Sequence, residues 1–140
     1  MHNVGVVVDD LKAAIAFFAE LGLELEGETT VEGQLVDRIV GLKGVQSDIA
    51  MMRTPDGHNR IELSKFQRPT AKSGEPNAPV NTLGIRRIMF EVENIEDVLN
   101  RLQAHGTKLI GETVRYEDAY LLCFIWGLEG IMIALAEPLR

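Results

Sequence analysis

Two stretches decide the fold: Asn3-Val4-Gly5-Val6-Val7-Val8-Asp9-Asp10-Leu11, and Gly84-Ile85-Arg86-Arg87-Ile88-Met89-Phe90-Glu91-Val92 followed by Glu93-Asn94-Ile95. Each is an apolar, strand-like run that ends in two polar residues able to start a helix. After the first, Leu11, Ala14, Ile15, Phe18 and Leu21 recur at helical spacing, and Gly22 closes the helix. After the second, Ile95, Val98, Leu99 and Leu102 do the same, and His105-Gly106 closes it.

Working outward, the repeat continues. Ile49 to Arg53 and Arg60 to Ser64 flank Thr54-Pro55-Asp56-Gly57-His58, a strong turn signal, which predicts a β-hairpin. Leu121 to Trp126 and Ile131 to Ala136 flank Gly127-Leu128-Glu129-Gly130 and predict a second. Pro55 to Leu63 aligns with Gly127 to Leu135. Leu23 to Thr30 and Gln34 to Gly41 read as two further strands. Gln67 to Thr82 carries Pro69, Pro76 and Pro79, has no periodicity and reads as a linker. The expected organisation is a first βαβββ module over 1–66, a linker over 67–82 and a second module over 83–140, in one compact domain overall. A unit with one helix and about four strands is best stabilised by pairing with its copy. The expected fold is therefore α+β: paired curved mixed sheets enclose a cavity and carry the helices on their outer faces.

Bulk properties exclude several function classes. The 140 residues are 46% hydrophobic and 25% charged, an ordinary globular balance. A formal net charge of -7 repels phosphate backbones and anionic lipid, so nucleic-acid and membrane partners are not expected. Cys123 is the one cysteine, which rules out an internal disulfide and fits a reducing compartment. There is no basic-then-apolar leader pattern, and a cytoplasmic location is expected.

Strand parity divides the side chains into two faces. The wholly apolar face is read as Val4, Val6, Val8, Ile61, Leu63, Ile88, Phe90, Val92, Leu122, Phe124, Trp126, Ile133 and Leu135, and is expected under the helices. The other is read as Asn3, Gly5, Val7, Arg60, Glu62, Ser64, Arg87, Met89, Glu91, Leu121, Cys123, Ile125, Met132 and Ala134, joined by Ile49, Met51 and Arg53. A concave sheet with that second face inside makes a mostly apolar pocket with a few convergent charges, suited to a small organic ligand. The plainer alternative is the half-exposed side of an antiparallel sheet.

The strand-Asp-Asp-Leu opening, the Ile61-Glu62-Leu63 stretch after a Pro-Asp-Gly turn, and the Gly84 to Val92 head of the second module together resemble the vicinal-oxygen-chelate superfamily of glyoxalase I, bleomycin-resistance proteins and extradiol dioxygenases. The likeness covers nearly the whole chain. It implies a homodimer, and a divalent ion held by one residue from the first and last strand of each module. Carried over, those positions are Asn3, Glu62, Arg87 and Ala134. Only Glu62 matches, since Arg87 is a permanent cation and Ala134 has no ligating atom. His2, one residue before the first position, is the remaining candidate ligand beside Glu62. No cofactor is therefore expected, with a divalent metal kept as the alternative.

Glu62 and Arg87 are the candidate catalytic pair, with Asn3, Met51, Arg53, Met89, Glu91, Cys123 and Ala134 as ligand-binding candidates. Two readings of Glu62 and Arg87 stand level. In one they form a structural ion pair. In the other Arg87 binds an oxygen-rich ligand and Glu62 acts as base or acceptor. The expected function is a small-molecule-binding protein or metal-independent enzyme. The alternative is a divalent-metal lyase or isomerase of the glyoxalase I type.

Overall fold

Asp10 starts the first helix as its sequence predicts: its carboxylate accepts the Ala13 N–H at 3.0 Å. Asn94 does the same for Asp97 at 2.9 Å. These caps open α1 (Leu11–Glu20) and α3 (Ile95–Leu102). In the computed structural model, which describes residues 1–140, the chain divides into two compact units, Met1–Ser73 and Gly74–Arg140. Each is a βαβββ-like module with one mixed sheet, and the protein is α+β.

The sheet of module 1 has the order β1-β4-β3-β2, with β1 (Val4–Val7), β2 (Glu24–Glu32), β3 (Gln46–Arg53) and β4 (Arg60–Arg68). β1 lies parallel to β4; the other pairs are antiparallel. Helix α1 packs on β3 and β4. It buries Ala14, Phe17 and Phe18 over Ile61, Leu63, Ala50 and Met52. β4 runs two residues into the stretch read as linker, through Gln67 and Arg68.

Module 2 has the order β5-β9-β8-β6, with β7 also on β8. Its strands are β5 (Arg87–Glu91), β6 (Lys108–Leu109), β7 (Val114–Tyr116), β8 (Tyr120–Trp126) and β9 (Met132–Pro138). β5 and β9 are parallel, as β1 and β4 are. Ile95, Val98 and Leu102 of α3 are buried with Ile125, Ile133 and Leu135.

Gln34 to Gly41 is a correction. The segment is a helix, α2 (Gln34–Val40), closed by Gly41 in the left-handed region at φ 74. Its apolar residues, Leu35, Val36, Ile39 and Val40, recur four apart, which is a helical period. A strand would have set Asp37 on one face with Leu35 and Ile39. Asp37 instead accepts the Gly44 and Val45 N–H groups, each at 2.9 Å, and ties the end of the helix to the start of β3.

Those two donors hold the Asp37 carboxyl below its ordinary value. Glu26, hydrogen-bonded by Arg60, is shifted the same way. So are Asp48, bonded by Gln67 and Thr30, and Asp56, bonded by Thr54 and His58. A depressed folded-state value contributes stability that is present above the unfolded pKa, about 4, and lost as pH falls through the folded value. Urea midpoints are expected to stay level above about pH 5 and to fall below about pH 4. Asp37→Asn is expected to shallow that acid-side fall. Parallel acid limbs in the two proteins would mean the Asp37 clip does not form.

Candidate functional site

Cα partners on neighbouring strands share a face, so register sorts the side chains rung by rung. In module 1, Gly5, Glu62 and Met51 form one rung, and Val7, Ser64 and Ile49 the next. Arg60 and Arg53 pair at the end of the sheet, beside Glu24. This is the face turned away from α1, as strand parity predicts. It is open: Val7 is 56% exposed and Glu62 is half-buried. Gly5, with no side chain, leaves space beside the Glu62 carboxylate, since a Cβ there would meet nothing within 4 Å.

The two arginines on this face are already partnered. Arg53 pairs with Glu24 at 2.9 Å, and Arg60 forks onto Glu26, with Nη2 at 3.0 Å and Nε at 3.1 Å from its oxygens. Glu26 sits at the β-bulge between Leu25 and Gly27, which aims its carboxylate at Arg60. Sequence reading missed Glu24 and Glu26. The signal was Gly27 inside a strand, the usual mark of a bulge. Arg53, expected to serve the ligand, is thus engaged within its own sheet.

Module 2 brings a second correction. Cys123 pairs with Leu135 and Ile125 with Ile133, both on the helix side. Leu122, Phe124 and Trp126 pair with Ala136, Ala134 and Met132 on the face that also carries Arg87, Met89 and Glu91. Parity had placed Cys123 with the ligand and Trp126 in the core, and both are reversed. The cause is loop length. In module 1 the hairpin pair Arg53 and Arg60 leaves 54–59 between them; in module 2 the pair Trp126 and Met132 leaves 127–131. One residue fewer turns every β8 side chain over relative to the aligned strand of module 1.

Cys123 is 3% exposed, and burial raises its thiol pKa against a hydrogen bond with Thr113. The native thiol is therefore expected to resist a water-soluble disulfide reagent by about 10³-fold or more relative to the urea-unfolded chain. Rapid native labelling would return Cys123 to the open face.

Arg87 lies with its guanidinium carbon 4.7 Å from the Phe124 ring centroid, a cation–π contact. Ala134, on the rung between Met89 and Phe124, is fully buried. Asn3 and exposed His2 are hydrogen-bonded to each other, Nδ2 to Nδ1, at 3.0 Å. At the four positions that would hold the superfamily's ion, module 1 offers an amide and one carboxylate, and module 2 offers a cation and a methyl group. No cluster of three or more His, Cys, Asp or Glu forms anywhere in the chain. This donor set does not fit a divalent ion. No helix is long and apolar enough to cross a membrane.

The family model described as the Glyoxalase/Bleomycin resistance protein/Dioxygenase superfamily matches residues 2–124. A glyoxalase family protein from Bacillus cereus is 52% identical, with a TM-score of 0.96 over 100% of this chain and 94% of that one. The uncharacterized protein YaeR of Escherichia coli (strain K12) is 25% identical over 118 residues, 84% of this chain and 78% of its own length. The Leishmania major glyoxalase I shares the fold at 15% identity and a TM-score of 0.66, over 98% of this chain and 85% of that one. With two βαβββ-like modules, a family match over most of its length and a half-identical relative of the same architecture, the chain belongs to the glyoxalase, bleomycin-resistance and dioxygenase superfamily.

Proposed function

We propose that this chain binds small organic molecules on its sheet faces, at Glu62 in module 1 and at Arg87 in module 2, without a divalent ion. The observation that carries the reading is the chemistry at the four superfamily ligand positions. Asn3, Glu62, Arg87 and Ala134 replace a metal-binding set with one carboxylate, one amide, one fixed cation and an empty methyl position. The charge an ion would have brought is supplied by Arg87, which donates hydrogen bonds and never accepts one. Glu62, beside the space left by Gly5, accepts hydrogen bonds from a ligand hydroxyl. If a molecule bound on the module 1 face reacts, Glu62 is the group there able to take its proton. A glyoxalase I-type lyase or isomerase would need ligands that module 2 does not supply.

The test has two parts. Elemental analysis of protein purified without chelator is expected to show nickel, zinc, iron and manganese far below stoichiometry. A ligand-observed NMR fragment screen is expected to yield binders that a chelator does not displace and that Glu62→Gln weakens. A stoichiometric metal whose removal abolishes binding would overturn the proposal and promote His2 and Glu62 as ligands.

A further inference from the structure

Within module 2, the partner of Arg87 is an aromatic ring and not a carboxylate. Other arginines in the chain contrast with it. Arg101 pairs with Asp97 and Arg115 with Asp118, while Arg53 and Arg60 are met by Glu24 and Glu26. Glu91, on the same strand and face as Arg87, is two rungs away, with Met89 between them. The face around Arg87 is otherwise apolar: Met132 is its rung partner, Trp126 pairs with Met132, and Met89 and Phe124 flank Ala134. Arg87 and Met89 are both exposed.

An exposed cation on an apolar face, held by its π surface, has a definite chemistry. The contact with Phe124 is made without using the N–H groups in a hydrogen bond to a carboxylate, which leaves them able to donate. Those groups match two oxygens of one planar anion. The ring contact also narrows the rotamers Arg87 samples, so less freedom is lost when the fork closes. Half-buried Trp126 and exposed Met89 offer the body of such a ligand apolar surface but little hydrogen bonding, while Met132 between Arg87 and Trp126 is buried.

We infer that Arg87 receives the carboxylate of an organic acid whose flat, apolar body lies along Trp126 and Met89. This rests on the small-molecule reading above and names the class of ligand for it. No bond is made or broken in the step; it is recognition only. Trp126 is the one tryptophan, so its emission reports from this face without any label.

The experiment titrates the full chain with benzoate and cinnamate, each against its neutral amide, following Trp126 emission and calorimetric heat. The acids are expected to bind saturably and roughly tenfold or more tighter than the amides. Arg87→Met is expected to erase that preference, and Arg87→Lys, which keeps the charge but not the planar fork, to restore part of it. Melting curves of both variants check that they are folded. Amides that bind as well as acids, or a preference that survives Arg87→Met, would overturn the anion assignment and leave the small-molecule reading standing. Binding by neither acid nor amide also overturns it. The broader reading then stands or falls on the separate fragment screen and its Glu62→Gln control.

Discussion

Phe18→Ala is expected to lower the unfolding free energy by about 3–5 kcal/mol, measured as the shift in urea midpoint at constant slope. Phe18 has no exposed surface, and its ring meets Phe17 edge to face at 5.1 Å between centroids and 87° between planes. Removing it forfeits burial, a cavity's worth of contacts and an aromatic pair worth about 0.5–1.5 kcal/mol on its own. The helix beneath cannot readily collapse into the gap. The Phe18 carbonyl accepts the Leu21 and Leu23 N–H groups at 3.1 Å each, which fixes the turn from α1 into β2. Total stability of a domain this size is about 5–15 kcal/mol, so the variant is expected to be partly unfolded near its melting range. Lys12→Ala, at an exposed position of the same helix, is expected to change stability by no more than about 0.5 kcal/mol. A Phe18→Ala cost below about 1 kcal/mol would mean that α1 does not pack on β3 and β4 as described.

What the sequence made legible was local. The caps at Asp10 and Asn94, the helical stripes behind them and the hairpin turns each depend on residues within a few positions of one another. Glu62 and Arg87 are placed on the faces turned away from the helices because β4 and β5 each carry a clean alternation. The failures share a cause of another kind. Strand parity orders side chains within one strand but does not set the phase between two strands. For β8 the phase came from a loop one residue shorter than its counterpart, and the internal repeat, aligned without a gap, carried the error into Cys123 and Trp126. Counting from Trp126 to Met132 against Arg53 to Arg60 would have exposed it. In α2 the four-residue spacing of Leu35 and Ile39, and of Val36 and Val40, was present but competed with high β propensity, and the Asp37 clip that decides the matter is a tertiary hydrogen bond. The neutralisation of Arg53 and Arg60 required a bulge at Glu26, which only Gly27 hinted at. The two faces were therefore half legible: the strand placement of Glu62 and Arg87 could be read from alternation, and the presence of Phe124 and Trp126 on the Arg87 face could not.

Gly130→Ala is expected to cost about 2–5 kcal/mol, well beyond what its backbone conformation alone would exact. Gly130 has φ +75, where an L side chain costs about 1–2 kcal/mol. A Cβ added there would also lie 2.7 Å from Asn77 N, 2.7 Å from Pro76 Cβ and 2.9 Å from Pro76 Cα. Two of those are backbone atoms that cannot swing aside. They belong to the segment leading into module 2, which is seated on the β8–β9 turn by the Asn77 N–H bond to the Gly130 carbonyl at 3.3 Å and by Ala78, 5% exposed. Gly57 supplies the control. It sits in the module 1 hairpin at φ +76 with nothing within 4 Å of a would-be Cβ, so Gly57→Ala is expected to cost only the conformational part, about 1–2 kcal/mol. Denaturation midpoints of the two variants separate the terms, because their backbone penalties match and only one meets neighbouring atoms. If the two costs are equal within error, the Pro76-Asn77 segment does not rest on the turn. A Gly130→Ala cost larger by more than about 1 kcal/mol places that segment against the hairpin in solution. The turn must then keep a bare Cα to admit it.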